Sequence, residues 1–229
     1  MDKLKTEMGK IKTFLFDLDG TLTDPKEGIT NSVAYALERQ GIKVDNRDEL
    51  IKFIGPPLID SFMKYYSFGY ELAKESVGVY REYFVPKGMF ENSVYDGVED
   101  CLGELGKRGA KLVVATSKPE EYSVEILKHF GLFSYFDAVC GASLDETRTK
   151  KADVIEYALD KLGLQDRKDE IIMIGDREHD ILGAKENGLR SIGVTYGYAK
   201  ENELEEAGAN YIVHSPIELK RLCLELMDI

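Results

Sequence analysis

The sequence predicts an α/β protein, in which helices cover a mainly parallel sheet and a helical segment is inserted near the beginning. Short apolar runs alternate with segments of helical periodicity through the second half of the chain, and this alternation is typical of parallel sheets. A separate apolar run near the start ends in two aspartates, Asp17 and Asp19. Between about Pro25 and Asn92 the pattern is helical, without a convincing buried strand.

The length and composition favour one core with an inserted lobe. A chain of 229 residues is long for one domain but short for two. Its composition, 43% hydrophobic and 31% charged, is that of an ordinary globular protein, and no apolar run approaches the ~20 residues of a membrane span. The first residues, MDKLKTEMGKIK, lack a secretory signal. We therefore expect a cytoplasmic protein with no membrane partner. The oligomeric state stays open, and a monomer is only the default for this architecture.

The charge and the cysteines argue against several classes of protein. A net charge of −12 argues against a nucleic acid polymer as partner, since backbone binding needs clustered cations. An anionic substrate would then need a local cation, and a divalent metal ion is the economical candidate. Cys101, Cys140 and Cys223 lie far apart without a C-x-x-C motif, which favours buried apolar positions over disulfides or a zinc site.

The elements of the second half follow from their apolar periods. Helices are predicted where apolar residues recur at three- and four-residue spacing, and strands where a short apolar run is bounded by turn residues. In chain order, the prediction is a helix through Val98, Leu102 and Leu105, the strand KLVVATSKP, a helix from about Pro119 to His129, the strand DAVCGA, the helix KADVIEYALDKLG, the strand EIIMIGD, a helix from about His179 to Glu186, the strand RSIGVTYG, a helix near Asn202 to Ala207, the strand NYIVH and a helix from Pro216.

The inserted segment shows helical periodicity and is bounded by turn signals. Ile29, Val33 and Leu37 recur at four-residue spacing, and turn signals flank the segment at Asp24-Pro25 and Asp96-Gly97. Inside it, Gly55-Pro56-Pro57 forms a rigid loop. An interhelical turn and a substrate-facing loop are equally compatible with that tripeptide.

Polar residues follow three of the predicted strands. Asp17 and Asp19 end the first strand, Thr116 and Ser117 the KLVVAT strand, and Asp176 the EIIMIG strand. Ligands of parallel sheets bind at the carboxyl ends of the strands. Each residue alone could simply close a strand or cap a helix, but together they indicate a site.

The spacing of the carboxylates predicts a metal centre. In extended backbone Asp17 and Asp19 lean to the same side, and such crowding either raises one pKa or recruits a cation. Oxygen ligands of this kind suit Mg²⁺, so Asp17, Asp19 and Asp176 are the predicted cluster. Asp176 and Asp180 are four residues apart at the start of a predicted helix, so we expect them on one face of that helix. A lysine is needed to offset the charge, and Lys150 and Lys151 are the two candidates, placed where a helix begins.

Four motifs resemble those of the haloacid dehalogenase superfamily, on its phosphatase branch: FDLDGTLTD, VVATSK, TKKADVI and IIMIGDREHD, in this order and covering nearly the whole chain. The members that look most similar are phosphoglycolate phosphatases and 5'-nucleotidases. The resemblance implies a Rossmann-like core, residues 1–24 and 92–229, with a helical cap, residues 25–91, inserted after the first motif. It also implies a Mg²⁺-dependent phosphatase that acts on a small soluble phosphomonoester.

The resemblance further implies roles for single residues. Asp17 resembles the nucleophile that forms an aspartyl-phosphate, and Asp19 the general acid and base. Thr116 and the Ser117 N–H match the phosphate-binding motif, and Lys151 is preferred to Lys150 as the motif lysine. Asp176 matches a direct Mg²⁺ ligand beside the Asp17 carboxylate and the Asp19 backbone carbonyl, and Asp180 would support this cluster through water or the lysine.

Other functions compete with this interpretation. A dehalogenase would be expected to lack the second aspartate, so Asp19 argues against it. A sugar-phosphate mutase stays open but is disfavoured, because its look-alikes carry a histidine shortly after the first motif and this chain does not. A non-catalytic binding or regulatory module has no support in the motifs. The leaving group stays open between phosphoglycolate and a nucleotide, and the cap candidates to contact it are Lys43, Gly55, Pro56, Lys64, Tyr65, Tyr66 and Tyr70.

Overall fold

The sheet is parallel throughout, which confirms the predicted α/β class. The computed structural model describes residues 10–145 and 147–228. Its six-stranded sheet has the order β5-β4-β1-β6-β7-β8, and each neighbouring pair is parallel. The strands are β1 (Thr13–Phe16), β4 (Lys111–Pro119), β5 (Ala138–Ala142), β6 (Ile171–Gly175), β7 (Arg190–Val194) and β8 (Tyr211–Val213).

The strand order places β1 in the middle of the sheet. From β1 the chain first builds outward on one side through β4 and β5, and then crosses to the other side for β6, β7 and β8. Such a reversal opens a crevice at the carboxyl ends of the central strands. The residues that follow β1, β4 and β6 therefore meet at one edge.

Alternation along the strands gives the sheet two apolar faces. Phe14 and Phe16 of β1 pack into one cluster, whereas Leu15 points to the other face and packs in a second cluster. Both faces are covered by helices, so the strands read as continuous apolar runs in the sequence. Burial on both faces fixes the position of Asp17 directly beyond Phe16.

The helices have nearly the predicted bounds. They are α1 (Lys26–Arg39), α2 (Leu58–Tyr66), α3 (Tyr70–Phe84), α4 (Val98–Lys107), α5 (Glu120–His129), α6 (Lys151–Leu162), α7 (Glu178–Glu186), α8 (Glu203–Ala207) and α9 (Pro216–Asp228). Asp176 does not lie within α7, because Arg177 is the N-cap of that helix. Asp176 and Asp180 therefore do not share a helical face, although their four-residue spacing predicts one.

A short two-stranded antiparallel sheet, here called the ladder, connects the inserted segment to the rest of the chain. The short strands β2 (Thr23–Asp24) and β3 (Ser93–Val94) pair antiparallel, with Thr23 opposite Val94 and Asp24 opposite Ser93. The helices α1, α2 and α3 and a 3₁₀ turn, Arg47–Phe53, lie between these strands along the chain. The limits 25–91 for the cap stay a prediction, as do the limits of the core.

Two tyrosines hold this ladder to the rest of the fold. The Tyr198 hydroxyl donates a hydrogen bond to Asp24 Oδ1, and the Tyr196 hydroxyl donates to the Thr21 carbonyl at 3.0 Å. The Tyr95 ring packs on Tyr196 with 5.1 Å between ring centroids. The ladder is thus fixed on the side of β7.

The remaining expectations on composition have mixed outcomes. All three cysteines are free and buried, as expected for small apolar side chains. None of the helices in the described parts of the chain is long and apolar enough to cross a membrane. Residues 1–9, on which the cytoplasmic prediction depends, lie outside the described residues.

Candidate active site

Asp17 and Asp19 lie in the turn that follows β1. Asp17 continues the strand, since its N–H donates to the Ile174 carbonyl at 2.9 Å. Gly20 turns the chain at φ +80°, and a Cβ at this position would lie 2.1 Å from Asp176 Oδ2. The turn therefore requires glycine, and this close approach brings the loop after β1 against the loop after β6.

Lys151 joins three elements at the centre of the site. Its Nζ lies 2.8 Å from Asp17 Oδ1 and 2.7 Å from Asp180 Oδ1, and it donates to the Ala115 carbonyl at 3.0 Å. Burial alone would lower the pKa of Lys151, but the two carboxylates raise it to about 12. Lys150 is exposed, so the structure brings Lys151 to the aspartates and leaves Lys150 outside.

Lys118 is a second buried cation, which sequence reasoning missed. Its Nζ lies 2.7 Å from Asp19 Oδ2 and 4.6 Å above the Phe84 ring. Burial raises the pKa of Asp19, although Lys118 acts to lower it. A signal was present, because Lys118 directly follows the Thr116-Ser117 pair at the end of a strand.

Asp176 is a buried carboxylate that forms no ion pair with any described residue. Its Oδ2 accepts the Tyr198 N–H at 2.7 Å, and the Thr21 hydroxyl lies 3.4 Å from its Oδ1. No lysine or arginine nitrogen of the described residues is within 4.0 Å of it. Burial, followed by the charges of Asp180 and Asp17, raises the pKa of Asp176 well above its usual range.

The carboxylates fit a hard divalent cation. One oxygen each from Asp17, Asp176 and Asp180 can be chosen so that all lie within 4.8 Å of one another, and all three residues are buried. An all-oxygen, anionic donor set is what Mg²⁺ prefers. Asp180 is already held by Lys151 and by the Arg177 N–H at 3.0 Å. The Asp19 side chain is not in this group, and its Oδ2 faces Lys118.

Thr116 and Ser117 lie where β4 becomes irregular. The pairing of β4 with β5 shifts register between Thr116 and Pro119, and the Thr116 Oγ1 accepts the Lys118 N–H at 3.3 Å. The irregularity turns Ser117 and Lys118 toward the same cavity as Thr116. Thr116 and Ser117 therefore line the same cavity as the two aspartates.

A cavity of about 280 Å³ opens above these groups. Tyr80 and Phe84 of α3 stack at 5.1 Å between centroids, and the Tyr122 ring lies 6.1 Å from Phe84. Arg81 also lines the cavity, and its side chain makes no hydrogen bond or ion pair to any other described residue. The walls from the inserted segment are formed by Ile29, Phe53, Gly55, Pro56, Pro57, Leu58, Ile59, Asp60, Tyr70, Val77, Tyr80, Arg81 and Phe84.

Only some of the predicted cap contacts line this cavity. Gly55, Pro56 and Tyr70 do, and the Gly55-Pro56-Pro57 loop is thus both an interhelical turn and a cavity wall. The other candidates lie elsewhere: Tyr65 and Tyr66 pack on Phe53, Lys64 lies over the Tyr65 ring, and Lys43 pairs with Asp45. Their helical spacing reflected packing within the segment.

Arg177 connects the site to the inserted segment, which sequence reasoning also missed. It follows Asp176 directly, and its Nη1 donates to the Ile54 carbonyl at 2.6 Å. The partner is 123 residues away in the chain, so no local pattern indicates the contact.

A family model described as haloacid dehalogenase-like hydrolase matches residues 14–194. The chain belongs to this family. A 5'-nucleotidase from Pseudomonas aeruginosa is 50% identical over 83% of this chain and 85% of its own. A tyrosine-protein kinase from Mycobacterium tuberculosis is 35% identical over 88% of this chain and 68% of its own. The crystal structure of a predicted phosphatase from Clostridium acetobutylicum has a TM-score of 0.92 and 53% identity, and the match covers 95% of this chain and 100% of that chain.

These findings confirm the resemblance seen in the four motifs. The haloacid dehalogenase-like fold predicted from them is the fold observed, with residues 14–194 matched. The protein is an enzyme of this family and a phosphatase. Its substrates are small phosphate compounds.

Proposed function

We propose that the protein is a Mg²⁺-dependent phosphatase that hydrolyses a nucleoside 5'-monophosphate through an aspartyl-phosphate on Asp17. One observation supports this most strongly. Asp17 and Asp19 line a cavity whose other lining residues include five aromatic side chains: Phe53, Tyr70, Tyr80, Phe84 and Tyr122. A group that reacts with phosphorus thus lies directly below a space suited to a flat leaving group.

The aspartates would hold the metal ion. Asp17 and Asp176 would contribute carboxylate oxygens, and Asp19 its backbone carbonyl. Bound Mg²⁺ supplies positive charge, which lets an anionic phosphate approach an anionic carboxylate. Asp180 acts on the lysine instead, because its Oδ1 lies 2.7 Å from Lys151 Nζ.

The first displacement transfers the phosphoryl group to Asp17. A carboxylate oxygen of Asp17 bonds to phosphorus, and the bond from phosphorus to the ester oxygen breaks. Asp19 gives its proton to the departing oxygen, which leaves as an alcohol. The raised pKa of Asp19, caused by burial, favours the protonated form that this step needs.

The second displacement restores the enzyme. Asp19, now a carboxylate, takes a proton from water, and the water oxygen bonds to phosphorus as the bond to Asp17 breaks. Inorganic phosphate leaves, and Asp19 carries its proton again. Division of one hydrolysis into two displacements is the usual advantage of covalent catalysis.

Three groups would bind the phosphoryl oxygens. Lys151 Nζ lies 2.8 Å from Asp17 Oδ1, so its ammonium would contact oxygens of a phosphate attacked by Asp17. The Thr116 hydroxyl and the Ser117 N–H are the remaining donors of the predicted motif. Together they would stabilise charge that grows on the oxygens during transfer.

The aromatic walls favour a nucleotide over phosphoglycolate. Stacking of a base on an aromatic ring is worth about 1–3 kcal/mol, and Tyr80, Phe84 and Tyr122 offer such rings. A glycolate leaving group has no ring to stack on them. The 50% identity with a 5'-nucleotidase agrees with this choice.

Phosphate release from a panel of esters tests the proposal. The panel contains nucleoside 5'-monophosphates, phosphoglycolate, a hexose phosphate and pyrophosphate, each assayed with Mg²⁺ and with EDTA. We expect Mg²⁺-dependent release that is fastest from a nucleotide. Asp17→Asn is the control variant and should be inactive but folded, because Asp180 still pairs with Lys151.

Each alternative gives its own result in this assay. Preferred release from phosphoglycolate would overturn the nucleotide assignment alone. Isomerisation of a hexose phosphate without release would indicate a mutase. Transfer of label from ATP to tyrosine, without release to water, would match the name of the mycobacterial relative, and folded protein inactive on every compound would favour a binding module.

A further inference from the structure

Arg177 bridges the loop that follows β6 and the inserted segment. Its Nη1 donates to the Ile54 carbonyl at 2.6 Å, and its Nε donates to Glu203 Oε1 at 2.8 Å. The residue is only 8% exposed. A charged side chain is rarely buried to this extent unless it is paired and hydrogen-bonded, and both conditions are met here.

Glu203 holds the guanidinium in place. Its side chain is 8% exposed and also accepts the N–H of Glu178 at 2.9 Å and of Lys200 at 3.0 Å. These backbone contacts fix the carboxylate independently of Arg177. The arginine therefore has a rigid anchor on the sheet side, and its other end reaches the inserted segment.

The contacted loop is a wall of the substrate cavity. Ile54 directly precedes Gly55-Pro56-Pro57, and these three residues all line the cavity. Gly55 has φ +100°, and a Cβ there would lie 3.0 Å from Arg177 Cγ and 3.1 Å from its Nη1. The loop thus lies directly against the arginine, in a conformation that glycine allows.

We propose that Arg177 is a positioning residue that sets the selectivity for the leaving group, by holding the loop 54–57 against the cavity. This inference depends on the proposed function, because it concerns the group released from the phosphate ester. Arg177 does not contact the phosphoryl site in this assignment. Its effect passes through the Ile54 carbonyl to the wall formed by residues 55–57.

The planar fork of arginine is needed for this role. Nε and Nη1 point to two acceptors that lie on different elements, and a lysine has one ammonium to offer. Arg177→Lys keeps the positive charge beside Glu203, so the buried carboxylate stays paired. It loses the hydrogen bond to one of the two acceptors, and the charge balance of the site is unchanged.

Selectivity kinetics test the inference. For wild type and Arg177→Lys we would measure kcat and KM with uridine 5'-monophosphate and with acetyl phosphate, whose acetate is too small to reach the loop. We divide kcat/KM for uridine 5'-monophosphate by kcat/KM for acetyl phosphate. This ratio should be about tenfold lower in Arg177→Lys than in wild type, which is the effect expected for loss of one charge-assisted hydrogen bond. Most of the change should lie in KM for the nucleotide, with the Mg²⁺ concentration for half-maximal activity unchanged.

Two further variants sharpen the comparison. Gly55→Ala disturbs the same contact from the loop side and should lower the same ratio. Arg167→Lys is the matched control, since Arg167 donates to Glu170 at 2.7 Å on an exposed surface before β6, and its ratio should equal that of wild type. Equal loss on both substrates in Arg177→Lys, or no loss on either, would overturn the inference.

Amide hydrogen exchange separates this inference from the proposed function. In Arg177→Lys the amides of residues 54, 55 and 58 should exchange faster than in wild type, with no substrate present. If wild type releases phosphate from neither compound, the proposed function fails, and the exchange rates still decide whether Arg177 holds the loop. Unchanged exchange would show that it does not.

Discussion

Asp19 has a different environment at each of its two carboxylate oxygens. Oδ2 is paired with Lys118 at 2.7 Å, whereas Oδ1 is buried without a hydrogen-bond partner among the described residues. A buried, unpaired oxygen is costly. The cost is understandable if this oxygen exchanges a proton with the leaving group or with water during turnover.

Asp19→Asn should slow both displacements, and a leaving group that needs no proton should restore only the first. We expect kcat on a nucleotide to fall by about 10²–10⁴, the usual range for loss of acid and base catalysis. With p-nitrophenyl phosphate, whose nitrophenolate leaves as an anion, the variant should release a burst of one nitrophenolate per enzyme and then stall. Stopped-flow absorbance checks this. Slow release without a burst would contradict the assignment of Asp19.

Arg81 offers a test of the cavity that leaves the chemistry intact. Arg81 lines the cavity and its guanidinium pairs with no other described residue, so this group would be available to acceptor atoms of a bound base. Arg81→Met should raise KM for the nucleotide about fivefold to tenfold, as expected for one lost hydrogen bond. The free energy of unfolding, measured by urea denaturation, should change by less than about 0.5 kcal/mol. An unchanged KM would remove Arg81 from the binding surface.

The residues that sequence reasoning found and missed differ in one physical respect. Asp17, Thr116 and Asp176 end buried strands, so their meeting follows from the geometry of a parallel sheet. Lys118 and Arg177 act through long side chains whose targets are distant in the chain. No periodicity records such a reach, and only the folded chain shows it.

At the level of elements, α1 packs against the turn Gly88–Phe90 with almost no space between them. The Gly28 N–H donates to the Glu91 carbonyl at 2.9 Å, and a Cβ on Gly28 would lie 1.8 Å from the Gly88 carbonyl oxygen. Glycine in a helix is ordinarily unfavourable. Here it allows backbone to contact backbone.

Alanine at two helical glycines should therefore have opposite effects. Gly28→Ala should destabilise the protein by about 1–3 kcal/mol, because the added methyl group overpacks the contact. Gly78→Ala, at a position of α3 with nothing within 4 Å of a Cβ, should stabilise it by about 0.5–1 kcal/mol. Urea denaturation of both variants gives the comparison. Stabilisation by Gly28→Ala would show that α1 is not held as closely as described.

The sequence predicted most elements but not how their ends are used. The bounds of α5, α6 and α9 follow from proline, glycine and apolar spacing, which are local signals. Lys151 is unfavourable at the start of α6 on dipole grounds, and it is accepted there because Asp17 and Asp180 surround its ammonium. That compensation is tertiary, so local sequence signals do not show why a lysine is tolerated at this position.

For the whole molecule, the buried carboxylates link stability to pH. Burial raises the pKa values of Asp19, Asp176 and Asp180, the last to about 6. The folded state then binds protons more strongly than the unfolded state, whose aspartates titrate at about 3.9. Proton binding at these three aspartates therefore adds to the free energy of unfolding. This contribution is complete below the unfolded pKa and is lost as the pH rises through the folded pKa values. Mg²⁺ should offset the loss, because it favours the charged carboxylates.

Thermal unfolding with and without metal tests this linkage. We expect Mg²⁺ to raise Tm more at pH 7.5 than at pH 5, since protons compete with the metal ion at the lower pH. Other carboxylates, such as Glu91, have lowered pKa values and affect both samples equally. Asp176→Asn should remove most of the Mg²⁺ effect. An equal shift in Tm at both pH values would contradict the linkage.

The ladder of β2 and β3 has a consequence for how such proteins diversify. Because Thr23 lies opposite Val94, the chain leaves for the inserted helices and returns from them at almost the same point. The β2–β3 pairing already holds the two ends of the inserted segment together. A helical segment of another length would therefore add little to the entropic cost of folding. Exchange of this segment between relatives would change the selectivity of the enzyme for the alcohol part of the phosphate ester. The aspartates and Lys151 would be inherited without change, and one reaction could thus serve many metabolites.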